Sequence, residues 1–161
     1  MLTLEIKKSI SKHGNFNFLS SDIYIGKSLQ SYGEYSEIEL SILLSLLKKK
    51  DIVFDIGSNI GAFTIPISKK IGRSGQVFSF EPQNLIHDIQ LKNIKENNIK
   101  NVRLFQNGIS SNPSTINLCQ IDYSVKDNFG GVSLIQDDSN PFYPTDNDPT
   151  QEIKMMTLDD F

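Results

Sequence analysis

The segment from Ile52 to Gly61 constrains the fold of this chain more than any other. Ile52-Val53-Phe54-Asp55-Ile56 is a short run of β-branched and aromatic residues, the pattern of a strand covered on both faces. Gly57-Ser58-Asn59-Ile60-Gly61 breaks it, and a helix is expected from near Ala62 to about Ile71. Pro66 sits near the start of that helix, where one lost backbone bond is tolerated, and Gly72 and Gly75 stop it. Gln76 to Glu81 reads as a second strand closed by Pro82. Residues 84–97 read as an amphipathic helix through Leu85, Ile86, Ile89 and Ile94, with Asn97 or Asn98 in the left-handed cap position. Val102 to Gln106 is a third strand. Strand, helix, strand, helix, strand predicts an α/β fold: a Rossmann-like open sheet with a parallel β-α-β-α-β core and right-handed crossovers.

The flanks are less regular. Residues 1–33 carry short strand-like pieces such as Asp22-Ile23-Tyr24-Ile25, punctuated by Gly14, Gly26 and Gly33, and read as an N-terminal arm or hairpin. Residues 34–161 form the domain proper. Ser36-Glu37-Ile38-Glu39 has the form of a capping box and opens a helix expected over 37–49, with Lys48, Lys49 and Lys50 at its end favouring the helix dipole. After Gly108, Thr115 to Ile121 alternates like a half-exposed strand. Residues 122–151 are rich in Asp, Asn, Ser, Gly and Pro, and predict a long loop around Val132-Ser133-Leu134-Ile135. Glu152 to Thr157 suits one more strand, so the parallel core carries a C-terminal β extension.

Length and charge bound the function. One domain of 161 residues with 38% apolar content can bury a core. A net charge of -3 without a Lys/Arg stripe gives no general attraction to nucleic acid. Cys119 is the sole cysteine, so no intrachain disulfide forms and a reduced, cytoplasmic setting is expected. No apolar run approaches the roughly 18 residues of a membrane span, and Met1 to Lys8 has no signal-peptide core.

The chemistry concentrates in Asp55-x-Gly57-x-x-x-Gly61. Gly57 lets a ligand approach the strand exit where no Cβ intervenes. Gly61 lets the helix pack near the strand and leaves its first N–H groups open. In open α/β sheets, ligands bind beyond the carboxyl ends of the strands. Glu81 ends the next strand, 20 residues after Gly61, where a carboxylate can accept from both ribose hydroxyls of a nucleoside and would repel a 2′-phosphate. The dinucleotide fingerprint Gly-x-Gly-x-x-Gly is absent, because Asn59 stands where its second glycine would meet a pyrophosphate. No Gly-Lys-Ser/Thr follows, which excludes a Walker loop. The sparser loop is typical of Rossmann-like methyltransferases that use S-adenosylmethionine (SAM). Plainer readings stand beside these: a tight βα turn for Gly57 and Gly61, a turn-capping carboxylate for Asp55, and a solvated strand end for Glu81. In the ligand reading, Asp55 helps hold the methionine amino group.

These residues resemble a known family. Val53 to Thr64, followed by Val77-Phe78-Ser79-Phe80-Glu81-Pro82, is similar to the FkbM family of SAM-dependent methyltransferases. The Gly33-Glu34-Tyr35-Ser36-x-x-Glu39 helix start, Asn93, Gly130-Gly131-Val132-Ser133-Leu134 and Thr157-Leu158-Asp159-Asp160 agree with it. The resemblance runs from about residue 33 to 161. It implies SAM as cofactor, held by Asp55, Gly57, Ser58, Asn59, Gly61, Glu81 and Pro82, and O-methylation of a small-molecule acceptor such as a sugar or natural-product hydroxyl. Neither nucleic acid nor membrane is expected as a partner. In the family, Thr-Leu-Asp precedes a strand carrying a Lys-x-Asp-x-Glu-Gly type motif, and the sequence here stops at Phe161. The resemblance therefore implies a truncated domain, with strand 52–56 left as an edge. A homo-oligomer or a completing chain is expected there. No catalytic base is identified, and a catalytically incomplete SAM-binding remnant is the alternative. An NAD-binding half-domain is a further reading, disfavoured by Asn59.

Other residues suit structural roles. His13 and His87 are isolated in sequence, with His87 read as a surface residue, and Cys119 as a small buried hydrophobe. None of them has metal-ligand spacing. Asp137-Asp138 and Asp146-x-Asp148 fit loop solvation better than cation binding. Tyr32 and Glu37 are candidates to close over the methionine end of SAM.

Overall fold

A computed structural model of the chain describes residues 4–135, 140–145, 148–159 and 161. The parallel core is as expected: β3 (Ile52–Ile56), α3 (Thr64–Ile71), β4 (Gln76–Phe80), α4 (Asn84–Glu96) and β5 (Val102–Phe105). The strands lie in the order β3-β4-β5, with Phe54 opposite Phe78 and Phe80 opposite Phe105. Strands adjacent in sequence are adjacent in the sheet, so right-handed crossovers put α3 and α4 on the same face. Val53, Val77 and Val102 point to that face and pack with Ile67 and Ile71.

The opposite face is built from aromatic rings. Phe54 stacks on Phe78 with centroids 5.2 Å apart, and Phe80 on Phe105 at 5.1 Å. Phe161 stands edge-on over all four, at 4.7 Å from Phe78 and 5.8 Å from Phe54. Strand β3 is an edge among the described residues, and Ile52, Phe54 and Ile56 remain 67%, 42% and 52% exposed. The edge position expected for strand 52–56 is therefore what the structure has.

The N-terminal segment is more ordered than its sequence suggests. Strands β1 (Ile6–Ser11) and β2 (Gly14–Leu19) form an antiparallel hairpin, and α1 (Ile25–Tyr32) follows it. The strand-like piece at 22–25 is instead a helix entry: the Asp22 carboxylate accepts the Tyr24 N–H at 2.8 Å. Phe16, Phe18 and Leu19 sit in one core with Ile60, Ile65, Ile86, Ile89 and Phe129. Hydrogen bonds weld the hairpin to α4. Asn93 Oδ1 accepts the Asn17 N–H at 2.7 Å, and Asn93 Nδ2 donates to Asn17 C=O at 3.0 Å. Any Cβ at Gly14 would collide with the Asn97 side chain, so the hairpin turn needs glycine to sit this close.

Helix α2 (Glu37–Leu46) starts where expected and ends three residues early. Ser36 has a left-handed backbone (φ 50°) and its hydroxyl bonds the Glu39 carboxylate instead of a backbone N–H, so the capping box is not formed. Lys48, Lys49 and Lys50 lie beyond the helix, because other partners claim the chain: Asp51 takes the Lys48 N–H and Ile71 C=O takes that of Lys50. Only Leu40 of α2 is fully buried, and Ile38, Ile42 and Leu46 are exposed along one stripe.

The C-terminal part forms a second, three-stranded sheet, β6 (Gly108–Ile109), β8 (Thr150–Met156) and β7 (Ser114–Cys119) in that spatial order. It is the expected β extension, with β8 starting two residues earlier and β7 ending two residues earlier than the alternation suggests. Between β7 and β8 the chain makes a short 3-10 turn, Phe129–Gly131, whose Phe129 inserts into the main core. Asp137, Asp138, Asp146 and Asp160, discussed above, lie outside the described residues. Asp148 accepts from Thr145. No helix among the described residues is long and apolar enough to cross a membrane.

Asn93 is wholly buried and bonds both Asn17 and Ile60. Asn93→Leu leaves those partners unpaired, which costs about 3 kcal/mol. Urea unfolding of the variant should show a lower midpoint, and an unchanged midpoint would refute the role of this residue as a weld.

Candidate functional site

The glycine loop after β3 adopts three positive φ angles: Gly57 at 73°, Asn59 at 49° and Gly61 at 86°. Its N–H groups are spent inside the protein. Gly57 and Ser58 donate to Phe80 C=O at 2.9 and 3.0 Å, and Gly61 donates to Ser58 C=O at 2.9 Å. Asn59 N–H donates to the Glu81 carboxylate at 2.9 Å, and Ile60 N–H to Asn59 Oδ1 at 2.8 Å. The expectation that Gly61 leaves the first N–H groups open is thus corrected for Gly61 itself. The helix begins at Thr64 rather than near Ala62, and Gly61 to Phe63 are a turn. Gly61 lies against α4, where an added Cβ would come within 3.1 Å of Gln90. Gly57 faces open space, with nothing within 4 Å of where its Cβ would stand.

Helix α4 sets the shape of the loop from below. Gln90 is fully buried; its Oε1 accepts from Ser58 Oγ at 2.9 Å, and its Nε2 donates to Ser79 Oγ at 2.7 Å and Thr64 Oγ1 at 3.0 Å. Thr64 Oγ1 in turn donates to Asp55 at 2.5 Å. Asn93 Nδ2 holds Ile60 C=O at 2.9 Å. This relay runs from α4 through the loop to Asp55.

Two clefts flank the loop at the carboxyl ends of the strands. The larger, about 390 Å³, is lined by Asp55, Gly57, Tyr24, Tyr35 and Phe63 among others. The smaller, about 150 Å³, is lined by Glu81, Pro82, Gly108, Val132 and Leu134 among others. Gly57, Asn59 and Gly130 contribute to both. Ser58 lines the larger cleft and Gly61 neither, so Gly61 acts on the loop's packing. Asp55, Gly57, Ser58, Asn59, Glu81 and Pro82 are therefore brought together around one place.

Electrostatically the site is acidic. Neither lining includes Lys, Arg or His. Glu81 is 2% exposed, and burial pushes its carboxyl up to about 7. The N–H groups of Gln83 and Asn59 oppose the rise, while the charge of Asp55 adds to it. One Glu81 oxygen takes Asn59 N–H and the other Gln83 N–H at 2.9 Å, so each keeps acceptor capacity on its free side. Burial also raises Asp55, partly offset by the Thr64 hydroxyl.

Several residues here escape sequence reasoning. Gln83 fixes Glu81 through its N–H and reaches Phe129 C=O with Nε2 at 2.9 Å, pinning the 123–131 loop over the site. Tyr24 and Tyr35, rather than Tyr32 and Glu37, flank the larger cleft. Tyr32 is 78% exposed, and Glu37 is held by Lys12 at 2.6 Å and His13 at 2.8 Å. His13 is thus not isolated, and His87 is half-buried rather than on the surface. Cys119 is half-buried on β7. The pair Gln90 and Asn93 carried a legible signal: polar residues three apart on a helix face otherwise made by Ile86 and Ile89.

No family model matches the chain, and no curated protein does. Solved structures do match. Trm5b from Pyrococcus abyssi aligns over 70% of this chain and 34% of its own, with 17% identity and a TM-score of 0.51. TYW2 from M. jannaschii, in complex with AdoMet, aligns over 64% of this chain and 43% of its own, with 22% identity and a TM-score of 0.48. Precorrin-6y C5,15-methyltransferase from Geobacter metallireducens GS-15 aligns over 45% and 38%, with 23% identity and a TM-score of 0.41. The chain spans less than half the length of each. At these identities the likeness is one of fold: the chain has part of the Rossmann-like class I fold.

The buried acid gives a stability signature. An unfolded Glu81 titrates near 4.5 and the folded one at about 7, so the folded state holds the proton more tightly. Stability from this group is full below 4.5 and is lost as pH rises to about 7, by up to about 3 kcal/mol. Thermal unfolding across that window should show this fall in the native chain and a shallower one in Glu81→Gln. Equal slopes would place the raised titration elsewhere.

Proposed function

We propose that this chain forms the cofactor-binding part of a SAM-dependent methyltransferase of the FkbM type, acting on the hydroxyl of a small-molecule acceptor such as a sugar. The observation that carries the reading is the lining of the site: two half-to-fully buried carboxyl groups, Asp55 and Glu81, with no cation in either cleft lining. SAM presents a sulfonium and an ammonium to such a site. A dinucleotide would bring a pyrophosphate, which needs free N–H groups or cations, and residues 57 to 61 have their N–H groups already bonded.

The residues fit the cofactor as two ends of one ligand. Glu81 and Pro82 border the smaller cleft, where the free sides of the carboxylate accept ribose hydroxyls. Val132 and Leu134 offer an apolar wall for a base. Gly57, open above its Cα, lets the ligand pass close to the backbone between the clefts. Asp55, held by Thr64, meets the ammonium in the larger cleft. When bound, SAM supplies an electrophilic methyl group for in-line transfer. The chain's own contribution is alignment, which provides much of the acceleration in such displacements. Tyr35 and Phe63, in edge contact at 6.3 Å, narrow the larger cleft. No residue of the chain is assigned as a base.

A second reading is a SAM-binding module completed by another copy or another chain. The exposed edge of β3, with Ile52 at 67%, favours it, because unpaired strand edges recruit further strands.

Calorimetric titration tests the reading. SAM and S-adenosylhomocysteine should bind saturably and NAD should not; saturable binding of NAD alone would overturn it. Glu81→Gln should weaken SAM binding by about tenfold or more. Because the ionised acid accepts from both ribose hydroxyls while the protonated acid turns one of those positions into a donor, affinity for SAM should rise as pH passes through about 7 and then level off.

A further inference from the structure

A third cleft, of about 460 Å³, is bordered by residues next in sequence to those that line the larger cofactor cleft. Three lysines line it: Lys7 from β1, Lys27 from α1 and Lys126 from the loop before the 3-10 turn, together with Ser20, Asp22 and Gln30. The shared border is made of two short segments held together at one point. Ile23 N–H donates to Asp127 C=O, and Asp127 N–H donates to Ser21 C=O, both at 3.1 Å. Each segment faces both ways. Asp22 and Ile23 line the lysine cleft while Tyr24 and Ile25 line the cofactor cleft. Lys126 lines the first and Asn128 the second. The two clefts are thus about two residues apart along the chain, roughly 7 Å.

The lysines have no carboxylate partner among the described residues, although the chain as a whole carries a net charge of -3. Asp22, the one acid lining the cleft, is 5% exposed and turned onto backbone N–H groups at the start of α1. Asp127 spends one oxygen on the Asn128 N–H. Three lysines without a carboxylate partner on one concave surface suit a multiply charged anion.

We propose that this cleft binds the phosphate or pyrophosphate group of a small phosphorylated acceptor, placing the rest of that molecule across the Tyr24 and Asn128 wall toward the cofactor cleft. The acceptor role rests on the methyltransferase reading above; the anion site does not. Three lysines lining one cleft match a di- or monophosphate better than a polynucleotide, which would need a longer stripe of positive charge.

The test uses the full chain, labelled with 15N and titrated with inorganic pyrophosphate. Saturable shifts should appear at amides 22–27 and 126–128. The triple variant Lys7→Gln, Lys27→Gln, Lys126→Gln should bind roughly tenfold or more weakly while keeping its native spectrum, since Lys27 and Lys126 are exposed and Lys7 is half-buried. If the triple variant loses its native spectrum, the single exposed changes at Lys27 and Lys126 give the same reading, each with a smaller loss. Absence of saturation at about 10 mM, or equal binding by the variants, would overturn the site. Pyrophosphate that competes with SAM would also overturn it, by placing the anion in the cofactor cleft. Tighter binding of single-stranded oligouridylate with a log-log salt slope steeper than about −2, the value for three phosphates, would overturn the small-molecule assignment. Failure of SAM binding with pyrophosphate binding intact would remove the methyltransferase reading and leave the anion site standing.

Discussion

The arrangement depends on a carboxylate buried at the end of a strand. Glu81 leaves β4 with 2% of its surface exposed, yet each oxygen receives a backbone N–H, one from the glycine loop at Asn59 and one from Gln83. A buried acid without such donors would be far costlier. The bonds work in both directions. They make burial of the acid tolerable, and they tie the loop after β3 to the chain leaving β4. Gln83 extends the tie to Phe129, and Phe129 to the hydrophobic core shared by the hairpin and the helices. The site is therefore anchored by main-chain geometry, with α4 supplying the second support through Gln90 and Asn93.

The parallel core was legible because each strand is short, apolar and closed by glycine or proline, and because the two helices repeat with the correct period. Six of the seven residues expected to hold the cofactor cluster around the two clefts for the same reason: they lie on the two strand exits, and parallel strands bring their carboxyl ends to one edge. What escaped was decided by tertiary contact. Helix α1 has weak local signals and starts from Asp22, whose carboxylate accepts backbone N–H groups of the first turn. Helix α2 stops at Leu46 because Asp51 and Ile71 claim the next backbone N–H groups, which no local propensity reports. The Ser36-Glu39 pattern matched a capping box in spelling, but the two side chains bond each other. Tyr24 and Tyr35 reach the site only through the packing of α1 and the hairpin against the core, so their position in sequence said nothing about it.

The two faces of the sheet follow different rules. One carries Val53, Val77 and Val102 under α3. The other carries four phenylalanines with one more ring standing on them. Stacked rings across neighbouring strands gain from offset contact, which holds β3, β4 and β5 in register without a helix above them. Arg103 adds its guanidinium 5.7 Å over the Phe78 ring, shielding part of that face from water while keeping its charge solvated. An aromatic face can in this way stay ordered while remaining partly open.

Charge is partitioned as sharply as packing. The clefts beside the glycine loop hold acids without cations, and the cleft behind Asp22 and Asp127 holds cations whose nearby acids are occupied by backbone N–H groups. Lys126 lines the lysine cleft, and Asn128, two residues on, lines the cleft that holds Asp55. The segments 22–25 and 126–128 contribute to both linings and are pinned to each other by two hydrogen bonds. Separation has a consequence for ligands as well. On the proposal above, a donor positive at one end would be drawn to the acids and an acceptor negative at one end to the lysines.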